Sequence, residues 1–447
     1  MTSAQPSEEG RRRRRLHLDL RPLRSSADFR RLYIGGGISF IGTMVTYVAI
    51  PFQMKELTDS FAAVGLVGLL QLVPMIVGGL WGGALADAHD KRRIVLVCSS
   101  VAAGLAAVLM VNAFLAQPQV WVVYLVAMGF SLFDSLARPS AEALVPRLVA
   151  HDQLPAAAAL TRFRMTFGSI LGPTLGGVVL ATWGSPWAYA IDAASYVVAL
   201  SFYLRLRRVP PTEPGSRPGL RQISQGVAYA WSRKDLLGTY AIDFAAMIFA
   251  FPYAMFPFVA EELGAPWSLG WLYAAGSIGG LIAALTSGWT TRISHHGRGV
   301  ALAAVGWGVA IGLFGLTTNV WWALAMLAIA GAADMISVMF RLTMWNQSIP
   351  DELRGRLAGI ELLSFTAGPQ LGQVRSGLLA QATSLRFSLA SGGFTSAFLT
   401  AIIAFFLPSL WRYDVRTDPN AALQRRRRAE DAARASVDPG HVEDVGS

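Results

Sequence analysis

Charge is what this 447-residue chain has least of. Only 15% of its residues are Asp, Glu, Lys or Arg, against about 25% in an ordinary soluble domain. With 53% apolar residues and a mean hydropathy of +0.44, a soluble globular fold is excluded. Cysteine is nearly absent: Cys98 stands alone, so the chain can form no internal disulfide and no Cys-x-x-Cys metal or redox site. The six histidines, His17, His89, His151, His295, His296 and His441, all lie outside long apolar runs, which argues against haem ligation and against a membrane-buried histidine relay. Lysine is limited to Lys55, Lys91 and Lys234, none of which follows a glycine. There is therefore no Gly-Lys-Ser/Thr phosphate-binding loop, and a self-contained ATP-driven pump is excluded. The sequence also offers no metal-ligand cluster and no nucleophile triad, so an enzyme is the least suited reading and no cofactor is expected.

What the chain does have is apolar length. A membrane helix needs about 20 mostly apolar residues, and twelve stretches qualify: 32–54, 61–86, 94–115, 119–137, 157–183, 186–205, 236–259, 267–291, 299–317, 320–340, 358–381 and 388–412. The expected organisation is a basic tail (1–31), a six-helix bundle (32–205), a linker (206–235), a second six-helix bundle (236–412) and a charged tail (413–447). The fold class is all-α integral membrane protein. Before residue 32 the chain carries Arg11 to Arg15 but no cleavable apolar stretch, unlike a signal peptide. This arm either lies on anionic lipid or is a solvated tail that fixes topology. Placing it inside gathers every basic residue except Lys55, Arg375 and Arg386 on the cytoplasmic side or at the inner helix ends. The positive-inside rule then predicts a cell-membrane protein with both termini cytoplasmic. The net charge of +10 becomes an orientation signal, and nucleic acid is not an expected partner.

The two halves echo one another at an offset near 200 residues. Asp134 and Arg138 end span four, and Asp334 and Arg341 end span ten. Span five contains Gly172-Pro173-Thr-Leu-Gly176-Gly177 and span eleven contains Gly368-Pro369-Gln-Leu-Gly372. Such repeats place a substrate site near the midplane between the halves. The loop Gly83-Ala-Leu-Ala-Asp87-Ala-His-Asp-Lys91-Arg92-Arg93 resembles the signature loop of the major facilitator superfamily. Gly83 would let two helices approach, and Asp87 could accept from the amides of a neighbouring helix end and pair with an arginine. The resemblance implies a conformational latch on the cytoplasmic side made by Gly83, Asp87, Lys91, Arg92, Arg93, Asp134 and Arg138, closed in the outward-open state. The second half has Arg292 where the aspartate would stand, so its latch is expected to be degenerate. Gly168, Gly172, Pro173, Gly176 and Gly177 resemble the superfamily's antiporter motif; glycines four apart also offer a flat packing face. Asp90 before three basic residues, Gly270-Trp-Leu-Tyr-Ala-Ala, Ala284-Leu-Thr-Ser-Gly288, Ile311-Gly-Leu-Phe-Gly-Leu and Leu342-Thr-Met ahead of Gly355-Arg356 are together similar to the enterobactin-exporter branch. That resemblance implies two pseudo-symmetric bundles in the major facilitator fold.

Ionisable residues inside spans are functional candidates by default. Asp134 with Arg138, and Asp334 with Arg341, read as structural pairs of the latch ahead of proton carriers, while Asp243, Arg375, Asp192, Glu361 and Asp334 form the set of proton-coupling or substrate candidates. Arg162 and Arg164 can snorkel to the surface, and Glu361 can favour a helix N-terminus. Asp243 ranks ahead of Asp192 for proton coupling, because span seven borders the central cavity in the superfamily and span six packs peripherally. Arg375 either meets an anionic substrate or pairs with Asp243 or Glu361. Phe244, Phe249, Phe251, Tyr253, Phe256 and Phe258 in span seven offer faces that stack with catechol-like rings.

The leading expectation is a monomeric, proton-gradient-driven exporter of a siderophore or similar aromatic amphipathic molecule. A broad exporter of lipophilic drugs with the same architecture is the alternative. A membrane sensor or scaffold acting through its tails is the competing class.

Overall fold

The computed structural model describes residues 19–209, 231, 233–349 and 351–437, with the backbone alone described at 291, 351–365, 428 and 431–437. Residues 1–18 of the basic tail, with Arg11 to Arg15, most of the expected linker and the last ten residues lie outside the described residues. Long helices follow one another as α1 (Ala27–Thr58), α2 (Phe61–Ala88), α3 (Lys91–Phe114), α4 (Val120–Leu148), α5 (Leu154–Thr182), α6 (Ser185–Tyr203), α7 (Lys234–Ala250), α8 (Leu269–Leu285), α9 (His296–Leu316), α10 (Val320–Ser348), α11 (Asp351–Ala382) and α12 (Leu385–Phe406). Each coincides with an expected span. Among the described residues, 10 segments are long and apolar enough to cross a membrane, where the sequence suggested twelve. The other two positions are α6, which carries Asp192 and several hydroxyl residues, and α11, whose first turns are charged and whose side chains there are not described.

Local chemistry sets the helix starts. The hydroxyl of Ser26 accepts from the Phe29 amide, Ser60 from Ala63, Ser384 from Phe387, and the Asn319 side chain from Trp321 and Trp322. Each satisfies an amide that has no partner within its helix. Asp59 adopts a left-handed conformation with φ 45°, which lets α1 turn directly into α2. Span seven is broken where a continuous helix was expected. Pro252 supplies no amide and pushes Phe251 into extended geometry, so α7 stops at Ala250 and the chain resumes as a short helix over Phe256–Glu262. Span eight is also shorter than expected: α8 ends at Leu285, and Ser287–Arg292 forms a tighter helical turn.

Packing distinguishes the two ends of the molecule. At the end carrying the basic loops and the termini, each half has its own core. One contains Phe29, Leu32, Val95, Leu144, Leu160 and Tyr203, and the other Leu236, Tyr240, Phe340, Trp345, Leu410 and Tyr413. Toward the opposite end a single cluster runs across both halves, from Val45, Met54 and Val64 to Phe256, Leu272 and Phe314. Exposed tryptophans mark both boundaries: Trp121, Trp183, Trp187, Trp321 and Trp322 at the opposite end, and Trp81 and Trp289 toward the basic end. Interfacial tryptophans are the usual belt of a membrane protein. The charged tail is partly ordered. Residues 408–418 strap the start of α9, with the Val415 amide donating to Ser294 O at 3.2 Å, and a further helix, α13 (Pro419–Val437), packs on α10.

Candidate transport site

The signature loop is a fastening within the first half. Asp90 caps α3 by accepting from the Arg92 amide at 2.9 Å, and it also accepts from the Val209 amide at 3.3 Å. The Arg92 guanidinium donates to Tyr203 O at 3.2 Å and Leu204 O at 2.6 Å, tying α3 to the end of α6. Lys91 is buried, while Asp87 and Arg93 are exposed. The arginine pairing expected of Asp87 is not formed among the described residues, Arg138 pairs with Glu142 at 3.6 Å instead of with Asp134, and the amide-accepting role falls to Asp90. The close approach expected at Gly83 belongs instead to Gly78 and Gly82. A Cβ on Gly82 would lie 2.9 Å from Leu136 O, whereas around Gly83 there is nothing within 4 Å. One residue turns the helix by about 100°, which is enough to move the contact from Gly83 to its neighbour. Gly288 and Arg292, at the corresponding turn of the second half, are likewise open and exposed respectively.

The antiporter-like run packs α5 on α1. A Cβ at Gly168 would meet the Phe40 ring, at Gly172 the Met44 side chain, and at Gly176 the Val45 backbone. Gly177 turns to the other half, where its Cβ would lie 2.4 Å from the Gly270 amide nitrogen, and a Cβ at Gly270 would lie 2.5 Å from Pro173 O. The second half repeats this arrangement. Gly368 and Gly372 pack on Met247 of α7, and a Gly377 Cβ would lie 2.9 Å from the Gly65 Cα of α2. Two backbone-on-backbone crossings, α5 with α8 and α2 with α11, therefore join the halves.

Both crossings lie toward the end opposite the basic loops, where other contacts close the molecule. Lys55 of α1 pairs with Glu261 beyond α7, and its ammonium sits 5.6 Å from the Phe258 ring centroid. The Phe61 and Phe258 rings are 4.3 Å apart and those of Tyr47 and Tyr273 5.7 Å. The span-seven aromatics expected to offer stacking faces serve this seal: Phe256 and Phe258 are buried, and Tyr253 packs on Phe251, Phe256 and Tyr273. Glu261, Tyr47 and Tyr273 were not singled out from sequence, and Lys55 stood out only as one of the outward basic residues, with Arg386.

The candidate ionisable groups separate into different environments. Asp243 of α7 pairs with Arg341 of α10, both almost fully buried. Arg341 also sits 5.5 Å from the Trp345 ring, whose indole donates to the Thr239 hydroxyl at 3.1 Å. Arg341 therefore reaches across to α7 instead of staying with Asp334 on its own helix, and Asp334 is half-buried. Arg375 does not pair with Asp243, and its other expected partner, Glu361, has a side chain outside the described residues. The Arg375 guanidinium donates to Phe249 O at 3.2 Å and Ser388 O at 2.8 Å, and lies 5.9 Å from the Phe249 ring. Phe249 O is stranded by the break in α7, so Arg375 supplies the donor that the helix lacks. Glu361 is among the residues whose side chains are not described. Asp134 is exposed. Arg162 is exposed, while Arg164 folds back onto α1, 5.8 Å from the Tyr33 ring, instead of reaching the surface. Asp192 is wholly buried and accepts from the Thr46 hydroxyl at 2.6 Å. No group of three metal-ligating side chains occurs among the described residues.

Among the described residues, the two six-helix halves meet at the end opposite the basic loops. Residues 18–433 match the family described as transmembrane secretion effector. The chain belongs to this family of major facilitator transporters. Among curated relatives, the enterobactin exporter EntS of Shigella boydii is 29% identical over 400 residues, spanning 89% of this chain and 95% of that protein. The same exporter from Escherichia coli O157:H7 is 28% identical over 400 residues with the same coverage. Solved structures share the fold at low identity. The nucleoside transporter NupG superposes with a TM-score of 0.66 at 14% identity, covering 87% of this chain and 100% of that one. A bacterial homologue of the iron transporter ferroportin in an inward-facing state gives 0.68 at 15% identity, over 86% and 99%. As a member of the transmembrane secretion effector family, the chain is a multi-pass membrane transporter.

Proposed function

We propose that this transporter exports a siderophore or a similar aromatic amphipathic small molecule, driven by the proton gradient and working by alternating access between its two bundles. The observation that carries the substrate reading is the 28–29% identity to enterobactin exporters along 89% of the chain. The separate cores at the basic end and the shared core at the other support alternating access. In this reading the conformation described is the one that receives substrate from the cytoplasm. The basic end is cytoplasmic with both termini, one chain supplies the whole path, and the loop of Asp87 and Arg93 engages only when that end closes. Gradient coupling then falls to a carboxyl group within the spans. A deletion strain under iron limitation tests the substrate: siderophore retained in the cell and depleted from the medium is expected. Normal secretion with raised sensitivity to unrelated lipophilic compounds would instead assign the protein to drug efflux.

A further inference from the structure

Among the described residues, Asp192 differs from the other buried carboxyl groups, Asp235 and Asp243, in having hydroxyl partners and no cation. It is 0% exposed on α6, where the Thr46 hydroxyl donates to Oδ2 at 2.6 Å and the Ser195 hydroxyl approaches Oδ1 at 3.4 Å. These belong to a polar seam running along the interface of α1 and α6. Toward the basic end, Thr43 and Tyr196 share a hydrogen bond of 2.8 Å. Toward the opposite end, the Tyr189 hydroxyl donates to Gln53 Oε1 at 2.8 Å, and the Ser185 hydroxyl donates to the exposed Glu56 at 3.3 Å. On each helix the seam residues follow one another at intervals of one or two turns, with about 5–6 Å between neighbours a turn apart. The groups facing Asp192 along this line are Tyr189 and Tyr196 of its own helix, Thr43, Thr46, Gln53 and Glu56 of α1, and, farther off on α4, Asp134, which lies within electrostatic range of Tyr196. From α3, Arg92 reaches α6 at the Tyr203 and Leu204 carbonyls, 11 residues and roughly 16 Å along the helix from Asp192. From α5, Arg164 lies within electrostatic range of the Tyr203 hydroxyl at that same end.

A hydroxyl can donate to a carboxylate and accept from a carboxylic acid, so this environment accommodates Asp192 both with and without a proton. A guanidinium, which donates but cannot accept, suits only the ionised form: Arg341 pairs with the Asp243 carboxylate. We infer that Asp192 is the group that takes up and releases the coupling proton, with the α1–α6 seam joining it to the Glu56 end of the molecule. In the cycle, one proton entering from the Glu56 side converts the Asp192 carboxylate to the acid. The same proton leaves toward Thr43 and Tyr196 when the carboxylate is restored. The inference rests on the proton-driven reading above and places the proton apart from the central path of the substrate.

The full-length protein in liposomes, followed by pH-difference infrared spectroscopy, tests this directly. A titrating carboxylic-acid band is expected, lost in Asp192→Asn and displaced in frequency in Thr46→Val, whose volume is nearly unchanged. Wild-type protein without such a band, or a band that survives in Asp192→Asn, overturns the assignment. A purely packing role for Thr46 would leave the band's frequency unmoved. Flux of iron-free enterobactin separates this from the broader reading. Asp192→Asn should retain substrate exchange while losing gradient-driven accumulation. Wild-type carriage with no accompanying proton would contradict the proton-driven reading itself, whereas coupling that persists in Asp192→Asn would overturn only the role of Asp192.

Discussion

At the scale of single residues, a buried ion pair controls what a mutation can reveal. Asp243→Asn leaves Arg341 charged and almost fully enclosed, and breaking such a pair from one side costs about 3–5 kcal/mol. The expected result is a markedly lower unfolding temperature in detergent, largely recovered when Arg341→Met is added. A fully stable single mutant would contradict the pairing. Loss of transport in Asp243→Asn therefore reports structure first. Asp414 illustrates a surface group with a defined sign. The Arg416 amide, then His295 and Ser294, hold its carboxyl below the usual aspartate range at the strap on α9. A lowered folded value means that its contribution is present at neutral pH and is lost as the pH falls through and below the ordinary value of about 3.9. Cleavage of the C-terminal segment by an acid-active protease should therefore rise below that value, and should already be raised near it in Asp414→Asn. A rate indifferent to pH and to the substitution would remove this account.

At the scale of elements, the glycine crossings govern which end is shut. A Cβ at Gly177 would fall 2.4 Å from a backbone nitrogen of α8, and backbone cannot move aside as a side-chain tip can. Gly177→Val should hold α5 and α8 apart and open the end opposite the basic loops. With Cys98 replaced and Tyr273→Cys as reporter, labelling by a membrane-impermeant thiol reagent is expected to increase severalfold; unchanged labelling would show that the crossing is not a seal. These elements also show what sequence can convey. Helix positions were legible because apolar length is a property of the chain itself. The break at Pro252, the shift of contact from Gly83 to Gly82 and the reach of Arg341 to Asp243 depend on helix rotation and on neighbours far away in sequence. The α1–α6 seam had a visible trace, since Thr43, Thr46, Gln53 and Glu56 recur on one face of the first span, but its meaning required the facing residues of α6.

At the scale of the whole molecule, the duplicated halves give two pseudo-equivalent crossings, Gly177 with Gly270 and Gly65 with Gly377. Small displacements of one bundle against the other can open these together, because packed interfaces switch between discrete arrangements. The buried charges divide the labour: Asp243–Arg341 braces α7 against α10, Arg375 braces the broken end of α7, and Asp192 pairs with no cation among the described residues. The most direct measurement of the central claim uses everted membrane vesicles containing the full-length protein, with iron-free enterobactin outside and an acidic interior. Accumulation of the siderophore that collapses on addition of a protonophore is the predicted result; accumulation no greater than in vesicles lacking the protein, with the acidic interior intact, would contradict it.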